Sequence, residues 1–365
     1  MSAVDGHVTQ GFTLFTIGTV SNNLQPARPA IQAPSTSDST WIEGGLRWLN
    51  YVATAGIVGA LTLFYFALSA VKNQPNPIAK ARQQRLRQNM LGWAAICAHI
   101  AFLAGCGLFA WQMTIVQASS SSTTGWLSQG FALVASHWGN LWLVRQALLL
   151  LLGLGLWGFV YAGAESIVTW FHLAISGRVI DLLIVQALAG HALGSGQNEL
   201  LALSNATIHL LASGIWIGSI IALVVVAMPA LRKGFKDAPD WQPIRWKSFS
   251  LLAALSVCLL LITGLYSMAR SVASPDALLT TAYGQLLLGK IGVVLLVGFC
   301  GLINAILVHP ARILPLMRRL GVTPNWVPLP VGKLPRLLVI EFTLGVLVFG
   351  VTGFLTSLPP PRGAE

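Results

Sequence analysis

NATIHLLASGIWIGSIIALVVVAMPAL, residues 205–231, decides the fold. No Asp, Glu, Lys or Arg interrupts it. Wound as a helix at about 1.5 Å per residue, it exceeds the ~30 Å hydrocarbon core of a bilayer. Further apolar runs recur near 45–71, 91–117, 138–162, 174–195, 248–269, 283–308 and 335–358. Backbone amides and carbonyls find no water in lipid, so each run must close its own hydrogen bonds as a helix. The expected fold is an all-α polytopic membrane protein, a bundle of about eight transmembrane helices. The third and fourth spans are the least sharply bounded, because VTWFHLAIS (168–176) also reads as an interfacial segment before the fourth.

Composition agrees. Of 365 residues 55% are hydrophobic and only 9% charged, whereas soluble domains carry roughly 25% charged residues. Too little polar surface exists to wet a globule, so lipid must be the solvent over much of the chain. The four cysteines, Cys97, Cys106, Cys258 and Cys300, all fall inside apolar runs. That placement suits buried thiols or soft ligands, not a disulfide framework.

Net charge is +11, which in a soluble protein would suggest nucleic acid. The basic residues are instead sorted by loop. Lys72, Lys80, Arg82, Arg85 and Arg87 follow the first span; Arg232, Lys233, Lys236, Arg245 and Lys247 follow the fifth; Arg312, Arg318, Arg319, Lys333 and Arg336 follow the seventh. The alternate loops 118–137 and 196–204 have none, and 270–282 has only Arg270. Lys and Arg mark cytoplasmic loops, which puts both termini on the extracytoplasmic side of the cell (inner) membrane. The high charge is topology, and no nucleic-acid partner is expected.

Residues 1–22 differ from the rest. Val8, Phe12 and Leu14 sit at even spacing among polar residues, the period of a β-strand. A flexible Pro/Ala/Ser/Thr linker over 23–44 follows, then the transmembrane domain over 45–358 and an extracytoplasmic tail over 359–365. A lone strand does not fold by itself, so it reads either as an orphaned remnant or as part of a larger domain clipped by the start codon.

Ionisable groups within spans are expensive and usually functional. His191 lies at the outer end of the fourth span and His209 in the outer part of the fifth. A short loop between antiparallel helices brings those ends together. His137 starts the third span, while Met113 and Met268 lie at outer ends of the second and sixth. Imidazoles with nearby thioethers form a donor set suited to copper. Taken singly, each interfacial His or Met is equally an amphipathic filler. In the second span His99, Cys106 and Met113 recur every seven residues. They share one helix face, each about 10.5 Å beyond the last, like a soft-ligand relay across the bilayer; ordinary helix packing uses the same residues.

Arg145 and Lys290 sit in outer halves, where long side chains snorkel outward. Asp181 and Glu341 sit toward the inner half. Glu341 is placed to pair with Arg336 or to face a cavity, and a structural salt link competes with proton coupling for both carboxylates. Gly214 and Gly218, in GIWIG, permit close helix approach. Trp216, seven residues from His209, shares its face and could wall a pocket.

The segments GHAL (190–193), HLLASGIWIGSIIAL (209–223), TGLYSMARSVASPDALLTTAYGQLLLGKIGVVLL (263–296) and VIEFTLGVLVFGVTGFLTSLPP (339–360) resemble the copper-resistance D (CopD) family over roughly 138–358. The likeness is most specific at His209–Trp216–Gly218 and at the TxYGxLLLxK run ending in Lys290. Ser219 departs from the second glycine that many members carry. AVDGHVTQGFTLFTIG (3–18) resembles the last strand of the copper-resistance C (CopC) domain, whose Asp-Gly-His motif supplies Cu(II) ligands; Asp5 and His7 match it. The family's other ligands, including a mature N-terminal histidine, have no counterpart. Fusions of the two domains are linked to copper uptake. The resemblance therefore implies copper transport, in the direction of uptake, or copper tolerance. It also implies copper ions as cargo, with a periplasmic copper-binding protein as a possible partner.

No P-loop GxxxxGK[ST] occurs, so ATP hydrolysis in this chain, and enzyme function generally, is not expected. Two other readings stand beside transport. A b-type haem electron carrier would use His99 and His172 at one depth and His191 and His209 at another, though no C-x-x-C-H exists for covalent attachment. A non-transporting subunit would deliver copper to a partner.

Overall fold

The computed structural model describes residues 36–119, 125–162, 169–190, 198–237, 241, 243–272, 274–308, 318, 319, 321 and 334–358. The strand expected over 1–22, with Asp5 and His7, lies outside them. So do most of the linker, His191 and the tail.

Helix α1 (Thr36–Thr62) ends in a π turn, Leu63–Ala67. It is followed by α2 (Pro77–Ser119), α3 (Trp126–Ala135), α4 (His137–Ala162) and α5 (Thr169–Leu188). The opening stretch then forms one long composite helix. It comprises α6 (Glu199–Ser213), a π turn over Gly214–Gly218, α7 (Ser219–Ala222), a second π turn over Leu223–Ala227, and α8 (Met228–Asp237). The chain continues through α9 (Trp246–Ser271), α10 (Pro275–Thr280), α11 (Ala282–Val308) and α12 (Leu334–Leu355). Among the described residues seven helices are long and apolar enough to cross a membrane. α5 is a further long helix, packed against α4 and α6.

Several boundaries differ from expectation. The second helix starts at Pro77, not 91, because its basic first turns carry on the helix beyond the apolar run. WFHLAIS lies inside α5, which continues directly into the fourth span. The loop 118–137 contains α3, whose apolar WLSQGFALVA is too short to span and lies against α2 and α4.

Two helices are central. α1 touches α2, α6, α7, α12 and the first π turn of the composite helix. Gly59 of α1 meets Gly218 so closely that a methyl group on either would overlap the other's backbone neighbourhood: Gly59 faces the Gly218 carbonyl, and Gly218 faces the Ala55 carbonyl. Ser219 Oγ donates to the Gly59 carbonyl at 3.4 Å. Gly218 of GIWIG thus does what small residues do between membrane helices, letting two backbones touch, while Gly214 makes room for the Val58 side chain.

α9 and α11 lie at the edge. Ile262 and Leu265 on α9 and Leu295 and Phe299 on α11 are each more than 60% exposed. Such long outward apolar faces are compatible with lipid and not with water. The protein is a multi-pass membrane protein.

The basic end is tied shut by backbone and side chains. Leu68 and Ile244 form an antiparallel bridge, with Ser69 N–H on the Pro243 carbonyl at 2.9 Å and Arg245 N–H on the Ala67 carbonyl at 2.8 Å. Fully buried Gln83 of α2 sits between them. It donates to Ser69 O (2.7 Å) and Pro243 O (3.3 Å) and accepts from the Trp241 indole (3.0 Å). Arg87 donates to Phe64 O at 3.1 Å and lies 4.0 Å over the Phe64 ring. The carbonyls left open where α1 ends are thereby satisfied.

Candidate functional site

The polar groups of α6, α9, α11 and α12 form a column along the composite helix. At its upper end Asn205 donates to Ser267 Oγ (2.9 Å) and to the Thr263 carbonyl (3.3 Å). One turn further in, His209 Nδ1 lies 2.8 Å from Thr263 Oγ1.

The tautomer follows from what Thr263 does with its own hydrogen. Its hydroxyl donates to the Leu259 carbonyl, 2.7 Å away, on its own helix. Oγ1 is left with only lone pairs for the imidazole, so Nδ1–H must donate to it. His209 Nε2 then carries a lone pair. A metal-binding histidine is held this way, one ring nitrogen donating to an orienting acceptor and the other free to ligate. Gly264 lies beside the ring, and a methyl built there would come into ordinary contact with Cε1 at 3.8 Å. Lys290 of α11 lies within electrostatic range of the imidazole.

Seven residues along, Trp216 is 3% exposed in the π turn. It approaches Gly301 and Glu341, and a methyl on Gly301 would sit 3.1 Å from Glu341 Oε1 and 3.9 Å from Trp216 Cζ2. Glu341, 3% exposed, accepts from Asn304 Nδ2. Of the two expectations, pairing with Arg336 or facing a cavity, the hydrogen bond shown for the buried carboxylate is to the Asn304 amide. A π turn adds one residue to the helical repeat and often occurs at functional positions. Here two such turns re-aim the side chains between His209 and the basic end.

The other sequence-predicted residues divide. His99 Nδ1 is 2.7 Å from the Ala95 carbonyl, and its ring packs at Gly153 of α4, 2.8 Å from where a Cβ would be. Cys106 Sγ accepts from Gln146 of α4 at 3.3 Å. Met113 reaches Gly130 of α3, its methyl 3.5 Å from a Cβ position there. The three do share the face turned to α4 and α3. His137 is exposed at the start of α4 and Met268 half-buried on α9. Asp181 forms a salt link with Arg178 at 3.2 Å, on a partly exposed face.

Arg145 does not snorkel. It is 6% exposed and donates through Nε to Gln186 Oε1 at 2.7 Å, because α4 and α5 close over it. His172 contacts the Tyr65 hydroxyl at 3.1 Å among Phe64 and Phe159. All four cysteines are free thiols. Among the described residues no three His, Cys, Asp or Glu side chains converge as a metal site. What spacing could not reveal was the Thr263 hydroxyl behind His209; a Thr inside an apolar run shows nothing of its partner on another helix.

Residues 245–355 match the family model for copper resistance protein D. The matched stretch is α9 through α12, so it contains Thr263, Ser267, Lys290, Asn304 and Glu341, whereas His209 stands just before it. The copper transport protein CutJ of Bacillus subtilis (strain 168) is 25% identical over 367 aligned residues, covering 98% of this chain. The chain spans 59% of the length of that relative. No solved structure matches the chain.

Proposed function

We propose that the chain carries copper ions across the cell membrane, in the direction of uptake, with His209 Nε2 as a ligand at an entry site on the extracytoplasmic side. The observation that carries this reading is the His209–Thr263–Leu259 hydrogen-bond chain, which leaves one imidazole lone pair unused and holds the ring. A soft imidazole suits copper in either oxidation state, and the match of α9–α12 to a copper-resistance family supports copper as the cargo. His191 is the proposed second ligand, and Asp5 and His7 are proposed as Cu(II) ligands. The sorting of basic residues supports the orientation, with both termini outside. The role is non-enzymatic, and movement follows the copper gradient or a coupled ion. Glu341 and Asn304 lie further along the column, where an ion leaving His209 would next meet oxygen ligands.

Copper accumulation in cells expressing His209→Ala tests the entry site. Accumulation falls to the background of cells lacking the protein while membrane protein levels stay normal. Wild-type accumulation in the variant would contradict the assignment. A strong Soret band in the purified protein would replace copper transport with haem-based electron transfer.

A further inference from the structure

A second polar site lies away from the His209 column, at the end of the bundle opposite the Gln83 junction. α1, α2, α4 and α5 line a partly open cavity of about 90 Å³, with Asn50, Tyr51, Trp111, Trp142, Arg145 and Gln186 among its walls. Its volume is ample for several waters, or for one small anionic group. Glu43 and Arg47 also line it, and they neutralise each other at 2.6 Å.

Arg145 is the group without an answer. It is 6% exposed, eight residues into α4, and among the described residues no carboxylate pairs with it. Its Nε is used by neutral Gln186, while its Nη2 has no hydrogen-bond partner. The Trp111 indole N–H is buried and unpartnered too, as is Asn50 Oδ1. A buried charge without a counterion is costly inside a membrane, and a buried donor without an acceptor costs further. With the Glu43–Arg47 pair cancelled, the residues lining the cavity carry a net positive charge and include two buried donors without partners.

We propose that this cavity binds a small anion through acceptor oxygens, a carboxylate or phosphate group, with Arg145 as its counterion. Arginine suits this role, because its planar fork meets two oxygens at once and cannot lose its charge. A free anion and the headgroup of an anionic lipid share this chemistry. The site is independent of copper and stands if the entry-site assignment fails.

The test uses the purified full chain and reads thermal unfolding. Sodium acetate and sodium phosphate are titrated against sodium chloride at matched ionic strength. In a second arm, phosphatidylglycerol is compared with phosphatidylcholine. A saturable rise on the order of 3 °C in the first arm identifies a free anion, and one in the second identifies a lipid headgroup. Either rise disappears in Arg145→Gln. If that variant does not fold, Trp111→Phe decides: it keeps the ring, loses the donor, and moves the midpoint of the rise to several-fold higher anion concentration. No rise in either arm means that water alone fills the cavity and overturns the proposal. A midpoint unchanged in Trp111→Phe, or a rise retained in Arg145→Gln, does the same.

Discussion

Thr263 orients His209 without itself being a strong copper ligand, so its hydroxyl should matter through the ring. Thr263→Val keeps the shape and removes the acceptor, leaving Nδ1–H unpaired and the ring free to turn. Loss of such an orienting partner typically costs 10- to 100-fold in metal affinity. Copper titration of the purified variant should show weakening of about 10-fold, and Thr263→Ser should restore most of it. Equal affinity in wild type and Thr263→Val would show that Nε2 is not a ligand. The soft-ligand face of α2 has its own test. If copper passes His99, Cys106 and Met113, Cys106→Ala lowers copper stoichiometry and flux; unchanged values assign that face to packing against α4, where Gln146 already uses the thiol.

Between helices, close approach of backbones sets the fold's tolerance. At Gly59 a side chain would have to push α1 away from the composite helix. Overpacking costs about 1–3 kcal/mol, occasionally more, so Gly59→Leu should lower the unfolding temperature and the yield of monodisperse protein. Gly292 of α11 meets nothing within 4 Å, and Gly292→Ala should be neutral or gain up to ~1 kcal/mol of helix propensity. If both substitutions behaved alike, the contact at Gly59 would not be a structural constraint. These elements also show what was legible in the sequence. Length and lack of charge announced the spans, since lipid leaves a chain no other solution than helices. GIWIG announced a close contact, because only small residues let membrane helices touch. The π turns were not legible, since one extra residue in a helical repeat leaves no mark on composition. Nor was the burial of Arg145: whether an arginine snorkels or is enclosed depends on neighbours from other helices. For Glu341 the sequence left open pairing with Arg336 or facing a cavity, because its Asn304 partner comes from another helix, α11.

Across the whole molecule, one end is closed by backbone pairing between the first basic loop and the segment before α9, with Gln83 at the junction. Gln83→Leu would leave the Trp241 indole and two carbonyls without that partner. At about 1–3 kcal/mol per unsatisfied buried group, the variant should unfold at lower temperature; an unchanged transition would mean that water replaces the amide. The opposite end holds the start of α1, the His209–Asn205 region and the Arg145 cavity, and is the end that the proposed orientation turns outside the cell. The central claim is that copper crosses this bundle by way of His209. Copper flux into proteoliposomes containing the purified chain tests it most directly. The account predicts time-dependent copper entry with wild-type protein and background entry with His209→Ala at equal reconstitution. Background entry with wild type, or equal entry with both, would contradict it.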